Sequence, residues 1–464
     1  MIHELNARLA IWIALGLGLG VAVQVQPWNG ILIFLALALV RRIPNAAVLL
    51  VSLAIGYLAA PQRASSSELN SSFFQGSIRV ASIPQFVGGG WSFVGESDRG
   101  ERFVVSVRSR FDLALWDQIQ VMGRREPLSE ASERRWLDRN IRAQLIVKAP
   151  PKIEKPGPLF WRWAQRLRKD FSDFTQRILS PERAALLDAL CFNDRSELSV
   201  DRMERLTNSG LTDLLASSGV KVFLLLYALR PLMDRLWLPV WTKTALKIVI
   251  LIFFAALCGF SASSVRAVFM AILYLLSSHL SRSFDALSAL SWTFVGSFAV
   301  DPACVFDQGL HLSFVGLIGI CTLSRDLVEE PEKRTWLTDA TNAWRISWVS
   351  WLFQSPALLM QQGFVPWISP AVSTLASIPF LAALVGGILA WGLGRAFPVL
   401  EPVLGWFLVP PLWILEQFER IFGGNWARLV LAPVSGYFVL GCVVALLTWW
   451  WPRSRSAPLG VRGP

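Results

Sequence analysis

Apolar runs of about 20 residues recur through the second half of the chain, a length that crosses a bilayer as an α-helix. Such helices bond all their backbone polar groups internally, which hydrocarbon requires. Only 17% of the 464 residues are charged, against roughly a quarter in soluble domains. The sequence therefore predicts a polytopic α-helical membrane protein. The runs cover, approximately, 211–229, 240–258, 263–280, 284–300, 308–324, 345–361, 366–394, 399–416 and 428–451.

Three further apolar segments near the N-terminus bring the prediction to about twelve transmembrane helices: Leu9–Val25, Trp28–Val40 and Ala46–Ala60. Arg41 and Arg42 separate the second segment from the third, and the positive-inside bias places them in the cytoplasm. In the second half, connections that contain Lys or Arg alternate with connections that contain neither, so all the basic ones lie on the same side of the membrane as Arg41. Both termini are therefore predicted to be cytoplasmic. Prolines in 399–416 leave open a broken or interfacial helix there.

Residues 61–150 change to a period of two, which is typical of short strands with one buried face. We predict a small five-stranded β-barrel of the OB type, placed outside the cytoplasm after the third helix. Such barrels bind single-stranded nucleic acid by stacking bases on aromatic side chains in a basic groove. A core role for the aromatics and a solvated face for the arginines stay open as the alternative. The candidate DNA-binding residues are Phe86, Trp91, Phe93, Arg102, Arg108, Arg124 and Arg125.

A proline-rich hinge and amphipathic helices follow at 151–210. Leu159–Leu179 places Phe160, Trp163, Phe171 and Phe174 at helical spacing, which predicts a helix in the membrane interface that serves as an anchor. The predicted organisation is thus N-terminal helices over 1–60, the β-domain over 61–150, and the hinge and interfacial helices over 151–210. A transmembrane core over 211–452 and a cytoplasmic tail over 453–464 complete it.

Polar residues interrupt the first apolar run of the core, in the stretch LTDLLASSGVK from Leu211 to Lys221. Holding a charged lysine at membrane depth costs ~2.5–3.5 kcal/mol on insertion scales, so Lys221 is expected to line a wet path or to be paired. Asp213 lies about 12 Å from Lys221 along a helix axis, which predicts that each meets a partner on another helix. Neutralisation of Lys221 by Asp301 or Asp307 is the alternative.

Four stretches resemble the ComEC family of competence DNA-uptake channels: LCFNDRSEL from Leu190, SGLTDLLASSGVKV from Ser209, GFSASSVRA from Gly259 and DPACVFDQGLHLSFVGLIG from Asp301. The sequence departs from the family pattern at four positions within them, one of which is Asp301 in place of asparagine. Lys221 and Asp213 stand where the family has histidine, and His311 stands where it has glutamine. Any metal binding or titration by the family histidines is therefore not expected here.

The resemblance implies an inner-membrane channel that moves single-stranded DNA into the bacterial cytoplasm during natural transformation. Intramembrane cations would meet the phosphates and release them in turn. It also implies a DNA receptor, a cytoplasmic ATPase or helicase, membrane lipids and a separate nuclease as partners, since the 464 residues contain no metallo-β-lactamase-like domain. A homo-oligomer stays open. The predicted translocation-path residues are Asp194, Arg195, Asp213, Ser217, Ser218, Lys221, Arg266, Asp307 and His311.

Two other classes of function compete with this prediction. A secondary transporter for a smaller anionic solute, such as a lipid-linked sugar phosphate, would use the same cations and fits the net charge of +11. A membrane hydrolase using Ser217 or Ser218 is disfavoured because no histidine or paired acid lies near in sequence to activate either hydroxyl. The three histidines are far apart and the five cysteines lack metal-ligand spacing, so we expect no metal, cofactor or catalytic residue.

Overall fold

A computed structural model defines the fold of most of the chain. It describes residues 13–14, 17, 73–82, 85–87, 90–98, 100–107, 113–127, 141–148, 151–216, 218–280, 285–300, 304, 308–320 and 336–430. The predicted N-terminal helices, apart from three residues, and the predicted run 428–451 beyond Val430 lie outside the described residues. The chain divides into two compact units. The first contains 1–200, 217–307 and 383–410, and the second contains 201–216, 308–382 and 411–464.

A closed five-stranded barrel opens the described part of the first unit and confirms the predicted small β-barrel. The strand order β1-β3-β4-β6-β5 returns to β1, with β4 and β6 parallel and the other pairs antiparallel. This is the Greek-key order of the OB type. Two short strands extend the sheet, β2 by pairing with β3 and β7 by pairing with β5. The strands are β1 Phe73–Val80, β2 Gln85–Val87, β3 Gly90–Ser97, β4 Arg102–Val107, β5 Gln118–Pro127, β6 Ile141–Val147 and β7 Lys152–Lys155.

Alternation of apolar and polar residues creates the barrel core. Along β5, for example, Ile119 and Val121 are buried while Gln120 and Met122 face out, because successive side chains of a strand point to opposite faces. The inward side chains of all five barrel strands form one cluster that includes Phe103 and Leu145. The period of two read from the sequence therefore located the strands correctly.

The following α-helices lie among the described residues. They are α1 Leu159–Ile178, α2 Pro181–Phe192, α3 Val200–Asn208, α4 Leu211–Ala216, α5 Ser218–Arg235, α6 Val240–Leu257, α7 Ala262–His279, α8 Ala286–Val300, α9 Gln308–Gly319, α10 Trp336–Gln362, α11 Ser369–Ala396 and α12 Glu401–Phe422. On the predicted apolar face of helix α1, Phe171 and Phe174 are buried, whereas Phe160 and Trp163 are exposed. Helix α2 begins with Pro181 in its first turn, a position that tolerates the missing N–H.

Three segments are long and apolar enough to cross a membrane: α6, α11 and the segment Pro398–Phe422 that contains α12. Shorter apolar helices occupy 263–279 and 286–299. The chain is therefore a mostly helical membrane protein with three candidate spans in the part that the structure describes. The predicted total of about twelve spans and their orientation stay predictions. Pro410 and Pro411 do not break α12, which is continuous from Glu401 to Phe422.

The carboxylate of Asp117 joins the barrel to α1. The side chain is 1% exposed, and it accepts backbone N–H groups from Ala114 at 2.8 Å and Gly157 at 2.7 Å. Arg162 of α1 lies 3.4 Å from the same carboxylate. A side chain at Gly157 would put its Cβ 2.7 Å from the Leu115 carbonyl oxygen, so only glycine lets the two segments approach this closely. The barrel and the helix that follows it are thus held together by one buried acid.

In the second unit, buried ion pairs tie α3 to the end of α12. Arg202 lies 2.9 Å from Glu419 and 3.8 Å from Glu416, and Arg205 lies 3.0 Å from Glu419. The Asn208 amide adds a hydrogen bond of 3.1 Å to the Gly423 carbonyl. Buried charges persist where they are paired in this way, so this cluster fixes how α3 packs on α12.

We expect Asp117→Asn to destabilise the protein by about 2 kcal/mol, because the amide can accept only one of the two backbone N–H groups and leaves the other unpaired. Chemical denaturation of the full chain in detergent measures the change. The control is Asp98→Asn, which alters an exposed acid on the same barrel. Equal stability of the two variants would show that Asp117 does not hold this joint.

Candidate functional site

A buried polar cluster lies in the first unit, and we call Arg168, Asp188, Asp194, Arg195 and Lys221 the polar cluster. Its members come from α1, α2, the segment after α2, and α5. Asp188 is 5% exposed and Lys221 is 4% exposed. Charged side chains are rarely this buried unless they are paired or functional. Three of the five residues were predicted from the sequence.

The turn that ends α2 directs the side chain of Asp194 toward α1. Asn193 adopts a left-handed conformation with φ of 59°, and its N–H bonds to the Ala189 carbonyl, which terminates the helix. Asp194 then accepts a hydrogen bond of 2.7 Å from the Arg168 guanidinium. The backbone N–H and the hydroxyl of Ser196 bond to its other oxygen. Burial opposes ionisation of Asp194, but the Arg168 charge and the Ser196 hydrogen bonds outweigh it and lower its pKa.

Asp188 is held differently, by hydroxyl groups instead of a cation. Its two oxygens accept hydrogen bonds of 2.6 Å from Ser172 and 2.9 Å from Thr175, both on α1. Burial raises the pKa of Asp188 to about 6, and the nearby Asp194 carboxylate adds to the rise. The hydroxyl donors and Arg168 act in the opposite direction. Asp188 therefore exchanges its proton far closer to neutral pH than an ordinary aspartate.

Lys221 lies on α5, within electrostatic reach of the Cys258 and Cys191 thiols and of Arg195. Burial raises the pKa of the Cys191 thiol, so that thiol is neutral. Burial also lowers the pKa of Arg195, whose Nε has no hydrogen-bond partner among the described residues.

Arg266 lies on α7 and is 2% exposed. The Ser261 side chain caps this helix by accepting the N–H of Ser264, and Ser264 also bonds to Cys258. Lys221 and Arg266 are thus both enclosed by packing, whereas the sequence predicted that they line a wet path. In the conformation described, neither cation opens to water.

Within the predicted run 211–229 the structure describes α4 and α5, and residue 217 between them lies outside the described residues. Asp213, on α4, accepts a hydrogen bond of 2.9 Å from the Ser369 hydroxyl of α11, within the second unit. Gly210 precedes α4 with φ of +77°, and a Cβ there would lie 2.5 Å from the Ser369 side chain. Asp213 has its partner on another helix, as expected, and that partner is a neutral hydroxyl.

On the barrel, the structure corrects one assignment. Phe93 is 2% exposed and packs in the barrel core, so its ring offers no face on which a base can stack. Arg125 lies over the Phe103 ring and 3.9 Å from Glu101. Arg124 lies 3.6 Å from Glu126 with its side chain 66% exposed. Of the arginines predicted to bind DNA, Arg124 is thus well placed to reach a ligand.

Several predicted residues are described only in part. Phe86 pairs with Trp91 through the backbones of β2 and β3, and Arg102 begins β4 opposite Glu96. Ser218 begins α5 and His311 lies in α9. Arg108, Ser217 and Asp307 lie outside the described residues. Among the described residues, no group of three His, Cys, Asp or Glu side chains is arranged to hold a metal ion.

Arg168 and Asp188 were not predicted as site residues. The sequence signal is weak but real, since Arg168, Ser172 and Thr175 follow helical spacing along one face of α1. Which acid this polar face meets depends on the packing of α2 against α1. Spacing within one helix does not supply that information.

The comparisons with known proteins agree with the resemblance found in the sequence. The profile of the family described as Competence protein matches residues 190–455. ComE operon protein 3 of Bacillus subtilis (strain 168) is 26% identical over 289 residues, which are 61% of this chain and 36% of that protein. The chain thus spans about a third (36%) of the length of this curated relative. No solved structure is significantly similar.

We expect Arg168→Gln to destabilise the protein by about 1.5–3 kcal/mol at pH 7, the usual value of a hydrogen bond to a charged group. The pKa of Asp194 is lowered in the folded state, so its ionised form stabilises the fold above its unfolded pKa near 3.9. This stabilisation disappears as the pH falls through the lower folded pKa. The difference between the variant and the wild type is therefore expected to shrink below about pH 4.

Chemical denaturation of the full chain at several pH values measures this difference. Arg166→Gln serves as the matched control because Arg166 is exposed on the same helix. An Arg168 variant as stable as the Arg166 variant at pH 7 would contradict the ion pair's role.

Proposed function

Because the chain belongs to the Competence protein family, which matches residues 190–455, we propose that it is an inner-membrane channel for single-stranded DNA. It passes one strand into the cytoplasm during natural transformation. The observation that carries this proposal is the burial of two cationic residues, Lys221 and Arg266, inside the family-matched segment. Cationic side chains withdrawn from water are stabilised when an anion approaches them.

The neighbouring acids do not neutralise Arg195. Asp194, the adjacent residue, is turned toward Arg168, and Asp188 is engaged by hydroxyl groups of α1. A phosphate would bond to the guanidinium in the bidentate geometry that arginine favours. Lysine adds a compact charge that binds a phosphate without fixing its orientation. Together they bind a backbone phosphate and release it to the next, as conduction requires.

In this proposal the described conformation is the closed state. Lys221 and Arg266 are buried, so the strand enters only when the helices that carry them move apart. A closed resting state also protects the membrane potential, because an open pore wide enough for a DNA strand would leak ions.

The barrel presents the strand to the channel from the extracytoplasmic side. Its strand order is that of a fold used for single-stranded nucleic acid, and Arg124 is exposed on β5. The Asp117 joint connects this barrel directly to α1, which carries Arg168 of the polar cluster. A DNA receptor, a cytoplasmic ATPase or helicase and a separate nuclease act with the channel as partner proteins.

Deleting the encoding gene is expected to abolish natural transformation in its host. A Lys221→Gln variant is expected to lower the transformation frequency by about tenfold or more, which corresponds to ~1.4 kcal/mol in the translocation barrier. Lys169→Gln, an exposed lysine on α1, is the matched control and should transform normally. Membrane levels of each variant are measured by immunoblot so that lost protein is not mistaken for lost activity.

Normal transformation in the deletion strain would overturn the DNA channel. If that strain instead loses uptake or export of a small anionic solute, the transporter function is favoured. Normal transformation by Lys221→Gln, with loss in the deletion strain, would remove Lys221 from the path while retaining the channel.

Binding of short single strands by the full chain in nanodiscs should weaken as salt rises, since phosphate contacts release counterions. Arg124→Ala is expected to weaken binding for all sequences and to reduce the salt slope by about 0.7, the value for one phosphate contact on a single strand. Arg79→Ala is the control, because that guanidinium lies over the Trp116 ring and near Glu96. An unchanged slope in the Arg124 variant would exclude a phosphate contact there.

A further inference from the structure

Asp188 is a buried carboxyl group that can keep its hydrogen bonds in either protonation state. Its partners are the hydroxyls of Ser172 and Thr175. A hydroxyl donates to a carboxylate and can rotate to accept from a protonated carboxyl. Among the described residues, Asp188 has no salt bridge. A buried acid with adaptable neutral partners is suited to gain and lose a proton without disrupting its surroundings.

The charges around Asp188 make its protonation matter for its neighbours. From α1 it faces Arg168, and from the segment after α2 it faces Asp194. On α2 itself, the Cys191 thiol is nearby and is influenced in turn by Lys221 of α5. From α11, the charged side chain near α1 is Arg395, which is bonded to Asp170. One cation, Arg168, is therefore available to two carboxyl groups.

We propose that Asp188 is a proton-binding site that acts as a latch on the segment Asn193–Ser196. In the structure Arg168 bonds to Asp194 at 2.7 Å, and a protonated Asp188 leaves that pair without a competing carboxylate. When Asp188 loses its proton to solvent, the new carboxylate competes for Arg168 and loosens the bond to Asp194. No other bond forms or breaks in this step. Protonation of Asp188 therefore strengthens the attachment of the segment Asn193–Ser196 to α1.

The segment carries Arg195, so the latch controls the position of a cation beside Lys221. This consequence rests on the proposed channel function, whereas the latch itself does not. A proton taken up on one side of a membrane and released on the other carries energy, and a titrating group next to the path is where such coupling would act. The latch therefore links proton binding to the arrangement of the cations.

The pKa of Asp188, raised by burial to about 6, places this titration in the range that cells experience. Because the folded state binds the proton more tightly than the unfolded state, this group favours the fold most below the unfolded pKa of about 3.9. That contribution is lost as the pH rises from there to about 6. Ionisation of Asp188 therefore makes the folded protein less stable at neutral pH than at mildly acidic pH.

Infrared difference spectra of the full chain in nanodiscs, recorded between pH 4.5 and pH 8, follow the C=O stretch of protonated carboxyl groups. We expect a band that titrates with a midpoint near 6, matching the pKa of Asp188, and that is lost in Asp188→Asn. Asp173→Asn, an exposed acid on α1, should retain it. Thr175→Val removes one donor to the carboxylate and should shift the midpoint upward, which tests the assignment even if Asp188→Asn folds poorly.

Coupling between Arg168 and Asp194 tests the latch directly. A double-mutant cycle built from Arg168→Gln and Asp194→Asn, read from thermal midpoints, should give a larger coupling at pH 5 than at pH 8. In the Asp188→Asn background the coupling should be the same at both values. Absence of the titrating band, or a coupling that does not change with pH in the wild type, would overturn the latch.

The failure of the latch and the failure of the DNA channel are distinguishable. If the channel proposal is wrong, the deletion strain transforms normally while the infrared band and the pH-dependent coupling persist. If the latch is wrong, those two signals are absent while the deletion strain still loses transformation.

Discussion

The bond between Arg168 and Asp194 is the contact on which the arrangement of the first unit depends. It joins α1 to the segment that follows α2, and both partners are largely withdrawn from water, with side-chain exposures of 12% and 30%. Removing two charges from water costs several kcal/mol per ion, and their attraction offsets this only when the remaining hydrogen bonds are also satisfied. Ser196 supplies those bonds to Asp194 through its N–H and hydroxyl, whereas the buried Nε of Arg168 has no hydrogen-bond partner among the described residues. The pair is therefore stable because of the left-handed turn at Asn193, which brings Ser196 within reach.

The same turn explains why Asp188 and Asp194, six positions apart in sequence, occupy different environments. Asp188 lies within α2 and points at hydroxyl groups of α1, whereas Asp194 lies beyond the helix end and reaches the guanidinium. Two acids near one cation cannot both take it, so their pKa values are driven in opposite directions. Groups whose environments separate their pKa values in this way are typical of sites that move protons.

Local sequence patterns predicted much of the fold, but they did not predict side-chain contacts between residues far apart in the sequence. The period of two located the barrel strands, and the spacing of Phe171 and Phe174 predicted the buried face of α1. The sequence did not show that Asp188 meets Ser172, because α1 and α2 pack through contacts that no spacing encodes. Arg202 and Glu419 are 217 positions apart, and their ion pair follows only from the tertiary structure. Phe93 was assigned to a binding face because alternation shows two faces of a strand without showing which one is closed inside a barrel.

A polar residue in the first apolar run of the core has its partner far away in the chain. Asp213 accepts a hydrogen bond of 2.9 Å from the Ser369 hydroxyl, which is 156 positions away and lies on α11. The sequence predicted only that Asp213 meets a partner on another helix, because Lys221 is about 12 Å away along a helix axis. Which side chain supplies that partner follows from the packing of α4 against α11, and hydropathy does not encode it.

The two units differ in how their buried charged residues are paired. This difference distinguishes a cluster that only stabilises the fold from one that can bind a ligand. In the second unit, Arg202 and Arg205 face Glu416 and Glu419, so cations and acids balance and the cluster has no need of a ligand. In the first unit, Arg195 has a buried Nε without a hydrogen-bond partner among the described residues, while Asp188 is held by neutral hydroxyls. An arginine in this state is stabilised by an arriving anion, and an acid in this state is stabilised by an arriving proton. The polar cluster of the first unit is therefore the one that can bind an anion or a proton.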